Sequence, residues 1–240
     1  MSEYIARAVR MQNLFNSLLP EMDPSLLQDM YVEYDDFERF DDTDDWVTTQ
    51  ATAGTADVID GFGGILELDS GSSTADQGIQ IQRKVETFLP AAGSDILFMA
   101  KVRITDTIDK VQFFAGLSVL DTSLFAVGEN TSTDHIGVEA NATTQAAAGG
   151  RLDLYSEKGG VRGSQATIHT AVEATDFIIG FIVRGLSSVT PIINNVLGTP
   201  ITTGGTHIPI TELAPTFACL SEGTNDPIVR LDWYYCLQTR

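Results

Sequence analysis

The chain has 240 residues, 33 acidic and 14 basic, for a formal net charge of −19 and a pI near 4.2. That length can bury one substantial core, while a surface of that sign repels phosphate backbones and argues against a nucleic-acid partner. The bases are dispersed, with Arg83-Lys84 the one adjacent pair. No run reaches the roughly 20 apolar residues of a membrane-spanning helix, so no membrane partner is expected. The first fifteen residues lack the uninterrupted apolar stretch of a secretory signal. Cys219 and Cys236 are too few for a disulfide framework or a metal site and are expected to stay thiols in a reducing cytoplasm.

Residues 1–34 differ from the rest. Ile5, Val9, Met11, Leu14, Phe15, Leu18 and Leu19 recur at approximately helical spacing. Pro20 ends the run, and Asp23-Pro24-Ser25 restarts a short helix through about Met30. The pattern predicts a helical arm, residues 1–34, whose seven apolar residues form the candidate partner-binding set. An apolar side needs a covering surface, either an open end of the chain's own domain or a neighbouring subunit. Next come Asp35, Asp36, Glu38, Asp41, Asp42, Asp44 and Asp45, interleaved with Phe37, Phe40 and Trp46. Their spacing is not that of a calcium loop. We expect an entry strand with its aromatics inward and its acids in water.

The remainder, residues 35–240, reads as one β domain. Strands are predicted near 63–69 and 78–87, and the pattern centres on residues 95–121. There Phe98, Ala100, Val102 and Ile104 alternate with Met99, Lys101, Arg103 and Thr105, and Val111, Phe113, Ala115, Leu117 and Val119 repeat the alternation. Period two marks half-buried strands. The short polar link 106–110 predicts that the two pair antiparallel. Further strands are expected at 136–140, 151–156, 166–172 and 177–184, the last apolar on both sides. Asn194-Asn195 should turn a hairpin between Ile192-Ile193 and Val196-Leu197. Strands at 216–220 and 228–237 complete the set, with Val229, Leu231, Trp233, Tyr235 and Leu237 on one face. The glycine-rich stretches 54–64, 141–150 and 198–205 are expected as loops. Many short strands with polar breaks imply an all-β, antiparallel β-sandwich or jelly roll behind a short helical arm.

Motifs for chemistry are incomplete. Glu67-Leu68-Asp69 sets two carboxylates on one strand face, as in the E-x-D-x-x-E strand of laminarinase-like enzymes, but Ser70-Gly71-Ser72 supplies no second glutamate. His135, His169 and His207 are isolated, without metal or catalytic spacing, and read as strand-end or loop residues. No G-x-S-x-G elbow occurs, and Gly61-Phe62-Gly63-Gly64 lacks the lysine of a phosphate loop. No catalytic residue, cofactor or metal is therefore expected. Trp46, Trp233, Tyr155, Tyr234 and Tyr235 are the rings a sugar site could use, and packing is the reading preferred for each. Trp233 and Tyr235 alternate with Tyr234, so at least one of the two sets should be core.

The order of segments resembles a known family. DDFERFDDTDDW leads to GGILELDSG and GIQIQ, DILFMAKVRIT runs into VQFFAGLSVLD, and FIIGFIVRG, IINNVLGTP and LDWYYCLQTR follow. Residues 36–240 thereby resemble the concanavalin A-like (laminarin-type) jelly-roll proteins of tailed-bacteriophage virions. Asp232 and Arg240 match that family's last strand, while the hairpin has Asn194-Asn195 in place of Asn-Gly. The resemblance implies a non-enzymatic head decoration or cement protein. Such a protein sits on the capsid exterior of the virion after assembly in the host cytoplasm, clamps the major capsid protein and is often a homotrimer. The alternative is a carbohydrate- or receptor-binding module of a phage tail or fibre, and behind it a glycoside hydrolase.

Overall fold

The alternating segments stack as two antiparallel sheets in the computed structural model of the protein, which describes residues 30–61, 63–105, 110–123, 125–126, 129–130, 132–140, 149–202 and 205–239. These residues contain no α-helix. Their strands are β1 (Met30–Asp35), β2 (Trp46–Ala51), β3 (Thr55–Ile59), β4 (Ile65–Asp69), β5 (Gly78–Arg83), β6 (Asp95–Thr105), β7 (Val111–Ser118), β8 (Phe125–Ala126) and β9 (Glu129–Asn130). The second half adds β10 (Asp134–Ala140), β11 (Arg151–Lys158), β12 (Val161–Thr170), β13 (Asp176–Arg184), β14 (Ser188–Ile193), β15 (Val196–Leu197), β16 (Ile201–Thr202), β17 (Ala214–Ser221) and β18 (Ile228–Thr239). The nine-stranded sheet runs β15-β14-β13-β6-β18-β4-β3, with β1 also on β18 and β16 on β14; the seven-stranded sheet runs β12-β11-β10-β7-β17-β5-β2. The sandwich fold is as expected, and β3 and β16 arise inside stretches expected as loops.

The predicted pairing of β6 with β7 does not occur. β6 lies between β13 and β18, and β7 between β10 and β17, in opposite sheets. Alternation requires only that each strand bury one face. Here the two inward faces meet across the core, where Phe98, Ala100, Val102 and Ile104 join Phe113, Ala115 and Leu117 in one cluster. β6 and β7 therefore belong to different layers, which pack about 10 Å apart.

β18 also departs from the expected single face. Leu231 pairs with Val102 and Trp233 with Lys101, leaving Asp232 as an extra, bulged residue. Alternation resumes with opposite sense. Val229, Leu231, Tyr234 and Cys236 line the core, while Trp233, Tyr235 and Leu237 face outward. The bulged carboxylate is used, since Asp232 Oδ2 lies 2.5 Å from Lys101 Nζ. Asn194 and Asn195 turn the expected hairpin in left-handed conformation, φ 49° and 67°.

The domain boundary moves to residue 30. β1 pairs along the end of β18, from Met30↔Thr239 to Asp35↔Tyr234, so the last five residues of the expected arm belong to the sandwich. Its inward acids clamp the two sheets together: Arg83, at the end of β5, lies 2.7 Å from Glu33 and 3.1 Å from Asp35. Its guanidinium also stacks 4.5 Å above the Trp46 ring. Burial raises the Asp35 carboxyl above its ordinary range, against the lowering pull of the Phe37 amide and of Arg83. Residues 36–45 form bends and a turn rather than the expected entry strand. Asp41 Oδ1 accepts from the amides of Thr43 (2.8 Å) and Asp44 (2.9 Å), which hold its carboxyl below the usual value. The aromatics do point inward: Phe37 and Trp46 are buried and Phe40 packs against them. Cys219 and Cys236 are buried free thiols whose pKa values burial raises.

The outer face of the nine-stranded sheet is divided. At one end it carries Lys101, Arg103 and Arg230, paired with Asp176, Asp232 and Glu67. At the other, Leu97, Met99, Ile182, Ile192, Tyr235 and Leu237 form a second apolar cluster, rimmed by Met30, Tyr34, Ile178 and Trp233.

Candidate functional site

The expected partner-binding residues Ile5, Val9, Met11, Leu14, Phe15, Leu18 and Leu19 lie outside the described residues. The paired acids of β4 do share an outward face, because Leu66 and Leu68 take the inward positions. Arg230 Nε lies 2.7 Å from Glu67. Burial and the neighbouring Asp226 raise the Asp69 carboxyl, while the Gly71 amide works against them. Among the described residues no group of three or more His, Cys, Asp or Glu is placed to hold a metal ion.

Among the described residues, the largest concentration of buried ionisable side chains lies on the outer face of the seven-stranded sheet. On β10 the outward positions are His135, Gly137 and Glu139. In the antiparallel register these face Glu157, Tyr155 and Asp153 of β11. The i, i+4 spacing along one strand thus answers an i, i+4 spacing on its neighbour, and four titratable groups besides Tyr155 share one surface. His135 Nδ1 donates to the Ser132 carbonyl at 3.0 Å. Its Nε2 stands 2.9 Å from Glu139 Oε1, with both side chains wholly buried. Sequence spacing alone leaves His135 isolated; the signal available in the sequence is the shared parity of 135, 139, 153 and 157 in two neighbouring strands.

Asp153 is held by four donors. Arg151 contributes Nε and Nη2, each at 2.8 Å, Tyr155 its hydroxyl at 3.2 Å, and Thr167 its backbone amide at 2.5 Å. The last of these fixes an irregularity in β12, where Thr167 has φ 52° and the β11–β12 register shifts. Arg162 lies 2.5 Å from Glu157 and stacks 4.7 Å above the Tyr155 ring. Burial first, then the Asp153 charge, push the Tyr155 hydroxyl up to about 12.

A polar ladder on β5 continues the same face. Gln82 Nε2 donates to the Val119 carbonyl (3.1 Å) and to Thr216 Oγ1 (3.0 Å), and Gln82 Oε1 accepts from the Asp121 amide (3.0 Å). Gln80 donates to the Asp121 carbonyl. These side chains strap residues 119–121 across the sheet. An acid beside an imidazole and a pair of facing carboxylates are ingredients of proton transfer. Here Asp153, Glu157 and the glutamines are engaged within the chain, and each of these residues is at most 8% exposed. The aromatics divide as well: Trp46 and Tyr234 are core, Tyr155 lies under Arg162, and Trp233 and Tyr235 belong to the outer apolar cluster.

The chain matches no protein-family model and no curated protein. Among solved structures it is similar to a protein of unknown function from Shewanella oneidensis MR-1, with 10% identity and a TM-score of 0.62 over 91% of this chain and 95% of that one. It is similar to an endo-1,3-beta-glucanase from Streptomyces sioyaensis, with 13% identity and a TM-score of 0.59 over 91% and 98%. Peanut lectin aligns at 9% identity and a TM-score of 0.58 over 88% and 97%. The fold is the concanavalin A-like jelly roll. At these identities the likeness is one of architecture, and function has to be argued from the site.

Proposed function

We propose that the chain is a structural protein of a bacteriophage virion that decorates and stabilises the capsid by binding the outer surface of the coat lattice, as a homotrimer and without catalysis. One observation carries this reading. On the outer face of the seven-stranded sheet, the groups a substrate would need free are taken up by the chain itself, with Asp153 under four donors and Gln82 under residues 119–121. The net charge of −19 fits a position outside a shell of packaged nucleic acid. A carbohydrate- or receptor-binding module is the second reading, and similarity of fold to a lectin and a glucanase supports it.

The test mixes the purified protein with coat particles stripped of it. Saturable co-sedimentation and a raised temperature of particle rupture are expected, with sedimentation of the free protein at the mass of a trimer. Turnover of a β-glucan overturns the proposal. So does saturable glycan-array binding without attachment to particles.

A further inference from the structure

We infer that the apolar half of the nine-stranded sheet's outer face is the docking site of the chain's own residues 1–29, held in the same molecule. Leu97 and Leu237 are each 1% exposed, Met99 1% and Ile192 0%. All four project away from the inter-sheet core, from β6, β18 and β14. Every described member of their cluster, including the rim residues Met30, Tyr34, Ile178 and Trp233, belongs to that same sheet. An antiparallel sheet with one open face leaves its outward side chains solvated. Side chains buried to this degree require a further layer, and the sheet cannot cover itself.

Three observations select the occupant. Met30, where β1 begins, is itself part of the rim, so residues 1–29 join the sandwich at the edge of the surface that needs covering. Those residues include Ile5, Val9, Met11, Leu14, Phe15, Leu18 and Leu19, an apolar set of matching character. Reach is sufficient: the eleven residues from Leu19 to Met30 can extend about 36 Å, and the cluster crosses four strand spacings, about 19 Å. A tethered segment also acts at a millimolar effective concentration, ahead of any free partner. A second copy laid face to face would bring together two chains of net charge −19. The inference stands apart from coat binding and is tested separately.

Limited trypsin digestion of the full chain reads the contact at Arg7 and Arg10, which lie inside the segment. Cleavage there is expected to be at least about tenfold slower than in the double variant Leu14→Asp, Leu18→Asp. That variant should also gain fluorescence from a dye that binds exposed apolar surface, while β1–β18 stay resistant. Hydrogen–deuterium exchange of the unsubstituted protein provides the second measurement should the variant fold poorly: amides of residues 5–19 should be protected to the same degree at every protein concentration. Cleavage of the unsubstituted chain as fast as the variant overturns the inference. Protection that disappears on dilution assigns the site to the arm of a second copy, and protection that appears only on coat particles assigns it to that partner; either outcome also overturns it.

Discussion

The two outward faces of this sandwich solve the same problem in opposite ways. On the seven-stranded sheet the outward positions are largely polar, apart from a small apolar cluster of Phe114, Ala218 and Leu220, and the chain bonds many of them itself: Asp153 gathers Arg151, Tyr155 and Thr167, and Gln82 gathers residues 119–121. On the nine-stranded sheet the outward positions divide into an ion-paired half and an apolar half. A face wired by directional bonds is rigid and specific, because each buried partner that is removed strands the others. An apolar face is indifferent to the identity of its cover and needs only area. On that contrast the first face is an internal structure, and the apolar half of the second is the surface that residues 1–29 are inferred to cover.

The sharpest way to break that contrast is to remove the acid at the centre of the wired face. Asp153 is 1% exposed, and Asp153→Ala leaves the Arg151 guanidinium, the Tyr155 hydroxyl and the Thr167 amide without their acceptor. The expected loss is about 3–5 kcal/mol by urea denaturation. A loss below about 1 kcal/mol would place this network among exposed ion pairs. Leu97→Ala on the apolar face should cost somewhat less, about 3 kcal/mol, as lost burial plus a cavity. It should also speed trypsin cleavage at Arg7 and Arg10, a response that Asp153→Ala should not give.

The wired face should also respond to alkali. Tyr155 titrates near 10 when unfolded and is pushed up to about 12 in the fold, so between those values the folded state holds a proton that the unfolded state has released. Stability is complete below pH 10 on this account and falls as pH rises through the window, by at most about 1.4 kcal/mol per pH unit for this group. Tyr155→Phe should flatten that part of the alkaline limb in denaturation curves taken from pH 9 to 12. The limb should keep a slope from Tyr234 and Tyr235, which burial also raises.

The sequence made the strands of this fold legible, but not their partners. Alternation in β6 and β7 correctly marked which residues reach the core. It could not tell a hairpin from a crossing between sheets, since both bury the same faces. The bulge at Asp232 was hidden because an inserted residue has no composition of its own, yet it reverses the side of every later residue in β18. Local pattern makes β1 look like the end of an arm because its partner, the tail of β18, lies some 200 positions away. The cluster of His135, Glu139, Asp153 and Glu157 was missed for a related reason: parity within each strand was visible, but the register between β10 and β11 was not.

The ion-paired half of the nine-stranded face gives the last and smallest effect. Arg103 Nε lies 2.5 Å from Asp176, and both side chains are 39% exposed. The hydrogen bond from Arg103 is the leading reason that the Asp176 carboxyl sits below its ordinary range, with burial opposing and Lys101 assisting. A depressed carboxylate contributes stability above the unfolded carboxylate pKa, and that contribution is lost as pH falls through the folded value. Water and salt screen a pair this open, so Arg103→Ala should cost no more than about 0.5 kcal/mol at neutral pH, still less in 1 M salt. Lys101, 3.2 Å from Asp176, should keep the acid paired in that variant. A loss as large as that of Leu97→Ala would mean that the charged half, too, is covered in solution, and the division of this face into a solvated end and a docking end would have to be given up.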